Sequence, residues 1–164
     1  MARSRLDSVI RRLMAQRDCL NSAAGRVDDM PGLILELGLG NGRTFDHLRG
    51  LLPDRDIYVF ERKVAAHPDC IPADNRLFLG DLTETLPDAA ARLGRSAALV
   101  HADIGSGHAD IDRELASMLA ALLPPLVLPG GLVISDQDIP FENATPLPLP
   151  DGVDEGRYYF RRLG

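Results

Sequence analysis

The chain has no long hydrophobic run. Nothing in its 164 residues approaches the roughly 20 apolar residues that span a bilayer, and the N-terminus lacks the continuous apolar core of a signal peptide. The expectation is no membrane partner and a cytoplasmic protein. Cysteine is scarce. Cys19 and Cys70 stand alone, without metal-binding or redox spacing, which predicts reduced, incidental thiols. Positive charge is in deficit: 18 Lys and Arg against 24 Asp and Glu give a net charge of −6 and a pI near 5.1. That balance argues against a broad nucleic-acid or anionic-membrane footprint and leaves room only for a local basic patch. There is no internal repeat and no low-complexity block. The nearest candidate, Pro146–Pro150, reads as an ordered or semi-rigid loop.

What is present fits one α/β domain over residues 1–164, with an apolar fraction of 45%. The chain is organised around Leu33-Ile34-Leu35-Glu36-Leu37-Gly38-Leu39-Gly40-Asn41-Gly42-Arg43-Thr44. An apolar run, then alternating glycines, then polar residues reads as strand, tight turn and helix start near Gly42 or Arg43. The glycines let backbone approach a ligand, and the helix start offers free N–H groups. Phe45 and Leu48 give the helix an apolar face, and Gly50 predicts its end.

The glycine spacing is E-x-G-x-G-x-G rather than the dinucleotide G-x-G-x-x-G, whose last glycine is Arg43 here. An acid in the strand repels a pyrophosphate and suits a cationic ligand such as a sulfonium. The stretch resembles motif I of the class I S-adenosylmethionine-dependent methyltransferases. That resemblance implies a three-layer αβα sandwich: five parallel Rossmann-like strands, one antiparallel edge strand and an N-terminal helix. It covers the motif core, residues 33–136.

The rest of the chain can be read in order against that pattern. Ser4 and Asp7 predict a helix start, with a helix over residues 4–24 carrying Leu6, Val9, Ile10, Leu13, Met14 and Leu20 at helical spacing. Arg3, Arg5, Arg11, Arg12 and Arg17 decorate the remainder. A solvated basic face over a packed apolar stripe is the plain reading; a lid over the cofactor or a subunit contact is the sharper one. Ile57-Tyr58-Val59-Phe60-Glu61 predicts a second strand ending in an acid that can accept from ribose hydroxyls. Arg62 can stack on adenine or form a surface ion pair. His67–Pro72 allows only a short helix. Arg76–Asp81 predicts a third strand. The resemblance implies adenine contacts at Asp81 and Leu82, while Asp81 can also cap a helix. Pro87 and Gly94 bracket that helix.

Ala97–Asp103 predicts a doubly buried central strand. His101 and Asp103 lie on one face and are followed by a flexible loop, Ile104–His108. The cluster His101, Asp103, His108 and Asp110 suggests chemistry there. Ile111, Leu115, Met118, Leu119 and Leu122 predict a core-packed helix stopped by Pro124-Pro125. Pro129-Gly130-Gly131 then predicts a turn into a fifth strand ending at Asp136, an order again similar to the class I methyltransferases. Only Gln137–Gly164 remain, and residues 156–162 predict one edge strand with small substrate-binding additions.

The resemblance implies methyl transfer from S-adenosyl-L-methionine to a small-molecule acceptor. Glu36, Gly38, Gly40, Asn41, Gly42 and Thr44 would surround its methionine part, Glu61 its ribose, and Arg62, Asp81 and Leu82 its adenine. His101 is the first candidate general base. Asp103 is either the rival base or an anchor for the methionine ammonium. A metal is not expected. The variant in which Asp103 and Asp136 hold Mg²⁺, as in catechol O-methyltransferase-like enzymes, meets Gln137 where that group has Asn, and it lacks the Lys that follows the first acid. A cofactor-binding module without turnover, and more distantly an NAD protein, are the alternatives. A homodimer or higher homo-oligomer is expected, and nucleic acid is not.

Overall fold

The computed structural model describes residues 4–164; Arg3 of the expected basic face lies outside the described residues. Helix α1 (Arg5–Arg26) starts where Ser4 and Asp7 cap each other in a reciprocal box. Then come β1 (Leu33–Leu37), α2 (Arg43–Leu51), β2 (Ile57–Glu61), two 3₁₀ turns (Pro68–Cys70 and Asp74–Arg76) and β3 (Leu77–Leu79). They are followed by α3 (Leu82–Leu93), β4 (Ala97–Ala102), α4 (Ala109–Leu122), β5 (Val127–Ser135), β6 (Ala144–Leu147) and β7 (Tyr159–Leu163).

The strands form one seven-stranded sheet in the order β3-β2-β1-β4-β5-β7-β6. The first five run parallel, and β7 is antiparallel to both of its neighbours. Side chains alternate across the sheet, so each strand feeds two cores. Ile34, Val59, Leu99 and Ile134 pack on one face with Leu20 and Ala23 of α1 and Phe45 and Leu48 of α2. Leu35, Phe60, Val100 and Val133 pack on the other with Leu86 of α3 and Leu119 of α4. This is the expected αβα sandwich, mostly parallel.

The tail differs from the expectation. Tyr159–Leu163 is an interior strand, because Ala144–Leu147, inside the stretch read partly as a loop, adds an outer strand beside it. Proline is tolerated there, since an edge strand has one side with no ladder to donate to. No helix intervenes between β5 and β6. Three local boundaries also move. Gly50 lies inside α2, which runs on to Leu51. Pro87 lies inside α3, because Asp81 starts that helix earlier by accepting from Thr83 N. Pro129-Gly130-Gly131 is a bulge within β5, where the register against β4 jumps from Ala97↔Val127 to Leu99↔Leu132.

The N-terminal half of α1 overruns the sheet. Leu6 is 68% exposed and Val9, Ile10 and Met14 are 45–47% exposed, so the expected packed stripe is buried only from Ala15 onward. This overhang lies above the C-terminal ends of β1 and β4, the point where strand order reverses and where open α/β sheets bind ligands.

Candidate active site

A cavity of about 340 Å³ opens at that reversal, lined by Gly38, Gly40, Asn41, Thr44, Glu61, His101 and Asp103, with Arg12, Leu13 and Gln16 of α1 above. The glycines of the turn divide the work. A Cβ on Gly40 (φ +51°) would meet nothing within 4 Å. On Gly42 (φ +83°) it would collide with Cys70 Cβ, so this glycine serves packing and does not face the cavity.

Glu36 does not line the cavity either. Its side chain is fully buried on β1 beside His101 of β4, its register partner. One carboxylate oxygen accepts from the Thr44 hydroxyl across the turn, and the other lies 2.7 Å from His101 Nδ1. The acid that sequence reading aimed at a cationic ligand is satisfied internally, and it braces the turn from below.

His101 is 1% exposed. Burial opposes its charge, but the charge and hydrogen bond of Glu36, with Asp103 and Asp136 behind them, outweigh burial and raise its pKa. Its Nε2 lies 3.3 Å from the Tyr158 hydroxyl, which donates to Asp103 Oδ2 at 2.5 Å. A hydroxyl has one proton. With that proton engaged in the hydrogen bond to Asp103, His101 Nε2 must donate to the hydroxyl oxygen, and Nδ1 donates to Glu36. Both ring nitrogens then carry protons. In this arrangement His101 has no lone pair to act as the expected general base.

Asp103 follows β4 and receives both Tyr158 and Gln16 on Oδ2, leaving Oδ1 without a protein partner among the described residues. Tyr158 and Gln16 were not predicted. Gln16 carried a weak signal, as a polar residue among the apolar positions of α1. Tyr158 carried only its place in an aromatic run.

Glu61 accepts from four backbone N–H groups: Leu39 (2.8 Å), Gly40 (3.1 Å), Arg62 (2.7 Å) and Lys63 (3.3 Å). Burial opposes its charge, but these donors prevail and hold its pKa below the usual carboxylate value. They occupy all its lone-pair sites, so a ribose diol would displace the longer bonds.

The adenine candidates are less assembled. Asp81 caps α3 and pairs with Arg62 at 2.7 Å, and Arg62, Asp81 and Leu82 lie outside the cavity lining. His108 and Asp110 also lie outside it; Asp110 is exposed and pairs with Arg113. The loop between them and β4 is pinned rather than free. Asp112 accepts from Ser106 N (2.6 Å) and Gly107 N (3.1 Å), and Asp136 from Gly105 N (3.0 Å).

A second cavity of about 500 Å³ adjoins the first, lined by Asp136, Gln137, Asp154, Arg157 and Tyr158. Arg12, Asp103 and Gly105 border both. Asp136 Oδ1 is buried without a partner, and burial together with the charge of Asp103 pushes Asp136 up to about 6. The Gln137 amide nitrogen donates to Asp136, and among the described residues no three His, Cys, Asp or Glu side chains converge.

Residues 3–163 match the family described as S-adenosyl-L-methionine methyltransferase. The chain belongs to this family. Its cofactor is S-adenosyl-L-methionine, and its activity is methyl transfer. An S-adenosyl-L-methionine methyltransferase from Silicibacter pomeroyi is 44% identical, with 99% of this chain and 100% of that one covered at a TM-score of 0.92. Two more distant structures share the fold. The MycE methyltransferase of the mycinamycin biosynthetic pathway, in complex with Mg and SAH, is 18% identical; 88% of this chain and 48% of that one are covered at a TM-score of 0.54. An O-methyltransferase family protein from Burkholderia thailandensis is 13% identical, covering 88% and 55% at a TM-score of 0.51. No curated protein matches this chain in sequence. The family's cofactor fits the first cavity on two counts: the open face of Gly40 admits a ligand to the backbone, and the Asp103 carboxylate, with Oδ1 unpartnered among the described residues, suits a cationic group.

Proposed function

We propose that the protein methylates a small polar molecule held in the second cavity, with the cofactor in the first. The observation that carries this reading is the meeting of the two cavities at Asp103, Gly105 and Arg12. A volume of about 500 Å³ suits a small molecule, and walls bearing Asp112, Asp136, Asp154 and Glu155 disfavour a nucleic-acid acceptor. When bound, the cofactor supplies an electrophilic methyl carbon on a positively charged sulfur.

The chain supplies placement and electrostatics. Asp103 Oδ1 accepts from the methionine ammonium. Gly38, Gly40, Asn41 and Thr44 border the methionine part, and Glu61 takes the ribose. Arg62, Asp81 and Leu82 reach adenine only if the Arg62–Asp81 pair reorients. His101 holds this frame as an imidazolium and takes no proton from the acceptor. The free thiols of Cys19 and Cys70 support a cytoplasmic setting. The exposed apolar side chains of α1 support self-association, which sedimentation would read as a dimer.

The test is a panel of small polar acceptors incubated with methyl-labelled cofactor. Label on a small acceptor is the expected result. Transfer only to nucleic acid, or cofactor binding with no transfer to any acceptor class, would overturn the reading.

A further inference from the structure

The hydroxyl of Tyr158 sits just ahead of β7, on a segment far in sequence from every glycine-turn and strand-end residue of the cofactor cavity. Its side chain is 2% exposed. Burial raises its pKa, the charge of Asp103 raises it further, and so the phenol stays protonated. It is therefore a donor with one proton, and it donates that hydrogen bond to Asp103 Oδ2. His101 Nε2 fills the hydroxyl's acceptor side, and the two rings are parallel within 3°. Gln16 of α1 donates to the same Asp103 oxygen.

The consequence for Asp103 is geometric. Two donors from different elements hold one oxygen, so the carboxylate cannot rotate without breaking both bonds. The other oxygen is the one left to meet a ligand. Behind Tyr158 the bonds continue through His101 to Glu36 and then to Thr44 in the first turn of α2, directly after the glycine turn. The start of α2 and the Asp103 carboxylate are thus two ends of one chain of hydrogen bonds with a buried centre at His101, which fixes their separation.

We infer that Tyr158 is a positioning residue for the cofactor: it fixes Asp103 so that Oδ1 receives the cofactor's ammonium. The inference rests on the reading of Asp103 as that anchor. It assigns a role to the C-terminal strand pair, which brings Tyr158 across β5 to the ends of β1 and β4.

The test compares two ligands by calorimetry on the intact chain. S-adenosylhomocysteine carries the ammonium; 5′-methylthioadenosine has the same nucleoside without it. Tyr158→Phe keeps the ring and removes the hydroxyl. It should weaken S-adenosylhomocysteine about tenfold and leave methylthioadenosine unchanged. Asp103→Asn should show the same selectivity with a larger loss, and the double variant should bind no worse than Asp103→Asn alone. A general structural role for Tyr158 would weaken both ligands equally. That result overturns the inference, as does wild-type binding by Tyr158→Phe while Asp103→Asn loses selectively. Loss in Tyr158→Phe without loss in Asp103→Asn also overturns it. If Asp103→Asn leaves both ligands unchanged, the anchor reading itself falls. Should Tyr158→Phe fail to fold, Gln16→Met, which removes the other donor to Oδ2, takes its place. A selective loss of severalfold supports the clamp on Asp103, and no loss overturns it.

Discussion

Glu36 and His101 face each other on adjacent parallel strands, their charged atoms 2.7 Å apart and both side chains out of reach of water. They are 65 residues apart in sequence, and only the pairing of β1 with β4 brings them into register. Breaking one member of a buried pair leaves the other unpaired in a low-dielectric interior, at a cost of about 3–5 kcal/mol. His101→Leu is expected to lose that much in urea denaturation. Replacing both, as Glu36→Gln with His101→Leu, should cost less than the two single losses added together, because the stranded charge disappears.

Asp136 predicts a stability that depends on pH in the less usual direction. Its native pKa, about 6, lies above the ordinary carboxylate value of 3.8. The folded protein therefore holds this proton where the unfolded chain has released it. The stabilisation is complete below pH 4 and is lost as pH rises through 6. Asp136→Asn should leave stability near pH 4 unchanged and raise it at pH 8, as read from thermal unfolding at both values.

Glu61 predicts the opposite dependence. Its backbone donors lower its pKa, so its contribution is present above the unfolded value of 4.5 and is lost as pH falls through the lower folded value. Glu61→Ala should also weaken S-adenosylhomocysteine by about 1–3 kcal/mol if the carboxylate takes the ribose. Calorimetry showing unchanged affinity would remove it from the site.

The two glycines of the turn separate folding from binding. Gly42→Ala drives a methyl into Cys70 at a positive φ and should cost more than about 2 kcal/mol in thermal unfolding. Gly40→Ala meets no protein atom, so only the left-handed backbone penalty of about 1–2 kcal/mol applies. It should remain folded and lose cofactor affinity, because its methyl projects into unfilled space at the cavity.

Local chemistry wrote much of this molecule into the sequence. The period-2 and period-3.6 apolar patterns, the Ser4–Asp7 cap and the glycine turn predict α1, β1 to β5 and the face shared by His101 and Asp103, because each depends on neighbours a few residues away. Tertiary structure decided the rest. Whether Glu36 meets a ligand or a histidine depends on which strand lies beside it. Whether Tyr159–Leu163 is an edge or an interior strand depends on Ala144–Leu147 joining the sheet beyond it. That same insertion sets the Tyr158 hydroxyl against Asp103 and His101, over separations of 55 and 57 residues that no local pattern encodes.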